Sequence, residues 1–224
     1  MGDSMRVAAC RALRGAAVVL LVSLLSLAVD AGSLRPVPRI GAASALSVRV
    51  FTYTFPVHGC ATSYGRTHHD YPATDIFAAR GCRFVAPITG RVDEVSRVDN
   101  WSPTTDLGSE RGGRSVSIVG NDGVRYYGSH LMRVAAGIRP GVVVHRGRTL
   151  GFVGQSGDAS AVHLHFGISW PTRHGIWWIR RGEVWPWRFL DAWRSGYPHR
   201  SPVRAVRFAL SRAGSRVPRC TADC

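Results

Sequence analysis

No lysine occurs in this chain; all 29 of its basic residues are arginine. An all-arginine basic set points to a GC-rich coding sequence and carries no information about fold. The arginines never run five in a row. That dispersal argues against a dedicated nucleic-acid groove, and no nucleic-acid partner is expected. The net charge of +15 still favours an anionic partner, such as an acidic polymer or cell wall. Also missing are the HExxH, Gly-x-Ser-x-Gly and P-loop patterns, which excludes several common hydrolase and nucleotide-binding classes. There is no CxxC pair, so a four-cysteine zinc site has no support. No internal repeat is visible. Nor is there a long apolar run: the best, Ala16 to Val29, has 14 residues. As a helix it would reach about 21 Å, short of a hydrocarbon core of about 30 Å.

That run has the layout of an export signal. Arg6, Arg11 and Arg14 precede it, and Val29-Asp30-Ala31 follows with small residues at the −3 and −1 positions. Cleavage after Ala31 is expected, which makes residues 1–31 a signal peptide and the product a secreted, extracytoplasmic protein with no stable membrane span. Its net charge is then about +14. No cysteine closely follows the run, so a lipid anchor is not expected. Cys10 leaves with the signal, and Cys60, Cys82, Cys220 and Cys224 remain. An even number in an oxidising compartment reads as disulfides. Of the three pairings, the most local is preferred: Cys60–Cys82 with Cys220–Cys224.

Helical periodicity is scarce. Residues 32–45 contain Pro, Ala and Ser without period and read as a linker. From residue 46 the texture is β. Ser47 to Phe55 alternates, Arg83 to Ala86 and Gly90 to Val95 flank a turn at Pro87–Thr89, and Ser115 to Val119 and Val124 to Tyr127 flank Gly120-Asn121-Asp122-Gly123. Val142 to Val144, Leu150 to Val153 and Leu164 to Ser169 complete the set. One short helix is expected after Pro186, with Phe189, Leu190 and Trp193 on one face and Gly196 as its stop. The fold class is therefore all-β with a mostly antiparallel sheet core over 46–200, followed by an Arg-rich tail, 201–224, that reads as loosely held.

His163-Leu164-His165-Phe166 lies in the last of these strands. Side chains at i and i+2 share a strand face, so both imidazoles emerge together while Leu164, Phe166 and Ile168 turn the other way. Two neutral imidazoles held close can serve one metal-centred site. Upstream, His68-His69 precede Asp75, which enters the apolar stretch Ile76-Phe77, and Ser129-His130-Leu131 follows the hairpin.

In this order, His…Asp, Ser-His-Leu and His-Leu-His-Phe resemble the motifs of the lysostaphin/LytM-type zinc metallopeptidases. Val85-Ala86-Pro87-Ile88-Thr89-Gly90-Arg91-Val92 resembles the hairpin that follows the aspartate in that family, and Leu150-Gly151-Phe152-Val153-Gly154-Gln155-Ser156-Gly157 resembles the loop before its final histidines. The resemblance covers roughly residues 55–170. It implies an all-β fold, one Zn²⁺ as cofactor, and hydrolysis of peptide cross-links or stems of bacterial peptidoglycan. His69, Asp75 and His165 would be the zinc ligands; His130 and His163 would be the catalytic histidines. The first element departs from the family spacing His-x-x-x-Asp: five residues separate His69 from Asp75, and six separate His68. His69 is preferred over His68, and Asp70 is an alternative outer partner. The rival reading is a catalytically silent homologue that binds the wall or activates another hydrolase. His58, His145, His174 and His199 read as surface or structural, and Trp177, Trp178, Trp185, Trp187 and Trp193 as packing residues.

Overall fold

The strand that carries the two histidines is buried along its whole length, and the rest of the chain is arranged around it. The computed structural model describes residues 49–214 and Cys220. The expected signal peptide (1–31), the linker (32–45) and Cys224 lie outside the described residues. The strands, in chain order, are β1 (Val57–His58), β2 (Thr62–Ser63), β3 (Ala73–Ala78), β4 (Arg83–Val85), β5 (Gly90–Ser96), β6 (Ser115–Gly120), β7 (Arg125–Ser129), β8 (Leu131–Val134), β9 (Val143–Val144), β10 (Thr149–Val153) and β11 (His163–Ser169). Three helices follow: α1 (Trp177–Arg180), α2 (Trp187–Arg194) and α3 (Val203–Ala213). All strand pairs are antiparallel, and they form a seven-stranded sheet, β2-β3-β11-β7-β6-β5-β9, and a four-stranded sheet, β1-β4-β10-β8. The expected all-β class is what is observed.

Alternation along β11 divides core from site. Leu164, Phe166 and Ile168 are fully buried in the apolar core with Ile76, Phe84, Ile118 and Leu131. Each such side chain stabilises the fold by about 1.5–3 kcal/mol. The sheets approach closely here: a Cβ on Gly128 would lie 2.5 Å from the Phe84 ring. On the other face of β11, His163 and His165 are followed by Gly167, where a Cβ would meet the carbonyl oxygen of Arg181 at 2.2 Å. Only glycine lets the segment after α1 cross β11 at that distance.

The expected disulfide Cys60–Cys82 is present. Cys220 is also disulfide-bonded, but Cys224, its expected partner, lies outside the described residues. Helix α2 starts after Pro186 and buries Phe189, Leu190 and Trp193, as the sequence pattern required. Two expectations need correction. Residues 49–55 form no strand. Tyr53 and Phe55 are buried with the period of two, yet the backbone pairs irregularly, Tyr53 N–H with Pro198 and Thr54 N–H with Pro87. The supposed tail contains the eleven-residue α3, held by buried Val206. Arginines on its exposed face masked a helical apolar spacing.

Candidate metal centre

Strand register places the site. Within the seven-stranded sheet, β11 lies between β3 and β7, with His165 opposite Asp75 on one side and Ser129 on the other. Directly opposed residues have Cβ atoms about 5 Å apart, so the pairing itself puts an imidazole against a carboxylate. The Nδ1 of His165 is 3.1 Å from Asp75 Oδ1. Its Nε2 is 2.9 Å from the carbonyl of Arg181. A carbonyl oxygen only accepts, so Nε2 carries the proton and the Nδ1 lone pair faces Asp75. Outer hydrogen bonds of this kind orient histidines that ligate metals.

The loop before β3 supplies further nitrogen donors. His68, His69 and Asp75 each offer a ligand atom, and all three atoms lie within 4.8 Å of one another. The two histidines are not equivalent. His68 is buried; its Nε2 is 3.6 Å from Asp75 Oδ1, and its ring centroid is 4.9 Å from that of His165. His69 is exposed and packs edge-on against His68 at 4.7 Å. The expected first ligand, His69, is therefore in the cluster, but the alternative, His68, is the ring that adjoins both Asp75 and His165. The Nδ1 of His68 is a buried polar atom without a hydrogen-bond partner. Such an atom costs about 1–3 kcal/mol unless something binds it.

His163 and His130 border the same cluster. The Nε2 of His163 is 3.5 Å from Asp75 Oδ1, and its Nδ1 donates to the Ala161 carbonyl at 2.8 Å. His130 stands where the chain leaves β7 for β8 and the other sheet, with φ of 61°. A left-handed non-glycine residue costs on the order of 1–3 kcal/mol and is common at functional sites. Its Nδ1 donates to the Ser156 carbonyl at 2.7 Å, and its ring lies 4.6 Å from that of His163. Ser156 belongs to the glycine-bearing loop after β10, so that loop orients a site histidine. In both rings the one proton of the neutral form is committed to a carbonyl, which leaves Nε2 with a free lone pair.

Burial sets the electrostatics. It pushes His130 down to about 3, helped by the charges of His165 and His163. It pushes His68 down to about 4, again with His165 contributing. Both rings are neutral at pH 7, as metal ligation or proton acceptance requires. Burial opposes ionisation of Asp75, but its contact with His165 and the positive charge that His165, His163 and His68 take up in acid outweigh it and hold the carboxyl well below its usual range. A carboxylate and neutral imidazoles suit Zn²⁺, and the unpartnered His68 Nδ1 indicates that the cluster is not self-sufficient.

These residues line a cleft of about 480 Å³. Tyr71, Tyr127, Trp177, Arg111, Arg180 and Arg181 form much of its wall. Arg180 and Arg181 are not legible in the sequence, because nothing around them matches a motif. His58, His174 and His199 make local contacts away from the cluster, to Thr54, Glu94 and the Phe51 carbonyl. Among the tryptophans, Trp193 is buried, while Trp177, Trp178, Trp185 and Trp187 are half-buried.

Comparison with known proteins bears on the same stretch. Residues 69–175 match the family model described as Peptidase family M23. No match is found among curated proteins. The catalytic domain of lysostaphin from Staphylococcus simulans is 23% identical, with 59% of this chain and 92% of that one covered and a TM-score of 0.44. A putative peptidase M23 from Pseudomonas aeruginosa is 22% identical, with 63% and 51% covered and a TM-score of 0.46. A zinc-containing peptidase from Vibrio cholerae is 18% identical, with 54% and 36% covered and a TM-score of 0.39. The stretch from His69 through β11, which carries Asp75, His130, His163 and His165, is thus similar to peptidase family M23.

Proposed function

We propose that the protein is a secreted zinc-dependent endopeptidase that hydrolyses peptide cross-links or stems of bacterial peptidoglycan. One observation carries the reading. Two imidazoles with unprotonated Nε2 atoms in their neutral form, His130 and His163, border a cluster of Asp75, His165 and the His68-His69 pair. The ligands would be Asp75, His165 and one histidine of the pair, with His68 favoured by its contact with both others. When bound, Zn²⁺ supplies Lewis acidity: it lowers the pKa of water toward about 7 and polarises a carbonyl.

The chain's own residues do the rest. Asp75 would offset one unit of the metal's charge, and the Arg181 carbonyl orients His165 through its Nε2. With no HExxH glutamate in the sequence, proton acceptance falls to His163 at Nε2, the atom that faces Asp75. His130, held by Ser156, is the second imidazole, placed to steady developing negative charge or to return a proton to the leaving amine. The cationic surface suits an anionic wall. No helix among the described residues is long and apolar enough to cross a membrane.

The test is zinc content and hydrolysis of purified peptidoglycan. Wild type should hold one zinc and release peptide fragments, and a chelator should stop it. His165→Ala should lose both metal and cleavage. His163→Ala should keep metal and lose cleavage by about 10²–10⁴-fold. A wild-type protein that binds wall yet holds no zinc overturns the proposal in favour of a silent wall-binding role.

A further inference from the structure

Three arginines line the cleft, and two already have carboxylate partners. Arg180 is paired with Glu94, and Arg111 is 2.6 Å from Asp106 and 3.8 Å from Asp158. Arg181 differs. Among the described residues no carboxylate lies within ion-pair distance of it, and its Nε is buried without a hydrogen-bond partner. Aromatic faces hold it instead: Cζ sits 4.0 Å over the Tyr71 ring and 5.1 Å over that of Trp177. Stacking fixes the guanidinium plane while leaving its edge, where the N–H donors are, unused. The acid nearest in sequence, Glu183, is a poor counter-ion. Burial lifts its carboxyl to about 7 despite the charge of Arg181.

The position is close to the chemistry. The Arg181 carbonyl accepts the Nε2 proton of His165, and the Tyr71 ring under the guanidinium is 5.8 Å from the His165 ring. A substrate lying along the cleft would thus meet a fixed, unneutralised cation within a side chain's reach of the bond presented to the metal. We propose that Arg181 is a specificity-determining residue that binds a free carboxylate next to the scissile peptide bond, so that the preferred substrate is an acidic peptide rather than a neutral one. A planar guanidinium edge matches a carboxylate in bidentate fashion. Such charged hydrogen bonds are strong enough to give about tenfold discrimination or more.

The inference rests on the peptidase reading but is tested apart from it. Two synthetic peptide-stem dimers, one with its carboxylates free and one with them amidated, are titrated calorimetrically into the full chain. They are also compared as substrates of the zinc-loaded protein. Wild type should bind the free-carboxylate dimer at least about tenfold more tightly and show the same preference mainly in KM. Arg181→Met should bring the ratio near one, and Arg181→Lys should keep part of it, because a single ammonium replaces the fork. Both substitutions leave the backbone carbonyl that orients His165, and zinc content and melting temperature verify that the centre is intact; if Arg181→Met is unfolded, Arg181→Lys decides. Equal binding of the two dimers by wild type, or an undiminished ratio in Arg181→Met, overturns the inference while leaving the peptidase reading untouched. A preference in binding without cleavage of either dimer sustains the inference and overturns the peptidase reading.

Discussion

Replacing His68 with alanine removes a buried imidazole that touches His69, Tyr71 and His165 and stands 3.6 Å from Asp75. Two effects on the metal-free fold oppose each other. The void left by the ring destabilises, while loss of the unpartnered Nδ1 relieves a desolvation cost of about 1–3 kcal/mol. The melting temperature of metal-free His68→Ala should therefore move little. Zinc binding is another matter. Structural zinc sites release about 10–16 kcal/mol over four ligands, or about 3 kcal/mol per ligand, so a lost ligand should weaken zinc roughly a hundredfold or more. His69 is exposed and meets the cluster through His68, so His69→Ala should weaken zinc by less than about tenfold, the effect typical of an outer contact. Competition against a chromophoric chelator at neutral pH measures both affinities, and thermal melts of the metal-free proteins separate ligand loss from unfolding. A hundredfold loss in His69→Ala with little change in His68→Ala would refute the geometric argument for His68. Comparable large losses in both would refute the assumption that only one of the pair ligates.

Two further outcomes follow from burial and covalent constraint. Cys60–Cys82 closes a loop with a sequence separation of 22, so replacing both cysteines by serine should cost about 3 kcal/mol in urea unfolding; an unchanged midpoint would show that the link adds nothing to the folded state. The metal-free protein should also lose stability in mild acid. His130 and His68 have folded values of about 3 and 4 against 6.5, so below 6.5 the unfolded chain takes up protons that the folded chain refuses. Their contribution is whole above pH 6.5 and falls as pH drops toward 4, by up to about 1.4 kcal/mol per pH unit for each imidazole. Urea midpoints at pH 7 and pH 5 in chelator check this, and a flat profile contradicts the burial argument.

How much of the site could be read from the sequence depends on whether strand periodicity governs the residue. A period of two puts His163 and His165 on one face, and antiparallel pairing with β3 puts Asp75 opposite His165. Local alternation determines the face, and one register across two strands determines the contact, so a motif in a buried strand translates almost directly into geometry. The His68-His69 choice is different. Both residues lie in a loop where no period applies, and burial of one ring against Tyr71 and His165 separates them. The same limit explains residues 49–55, where Tyr53 and Phe55 are buried two residues apart but the alternation could not say that the backbone pairs with Pro198 and Pro87 instead of a strand. Arg181 lies furthest from what a sequence pattern can express. Its position depends on the tolerance of Gly167 for a crossing backbone and on aromatic faces contributed by the loop before β3 and by α1. The Asp75, His163 and His165 part of the candidate site is thus written in strand order, whereas the features that would choose a substrate are assembled from loops and a C-terminal crossing, where sequence spacing says little about distance.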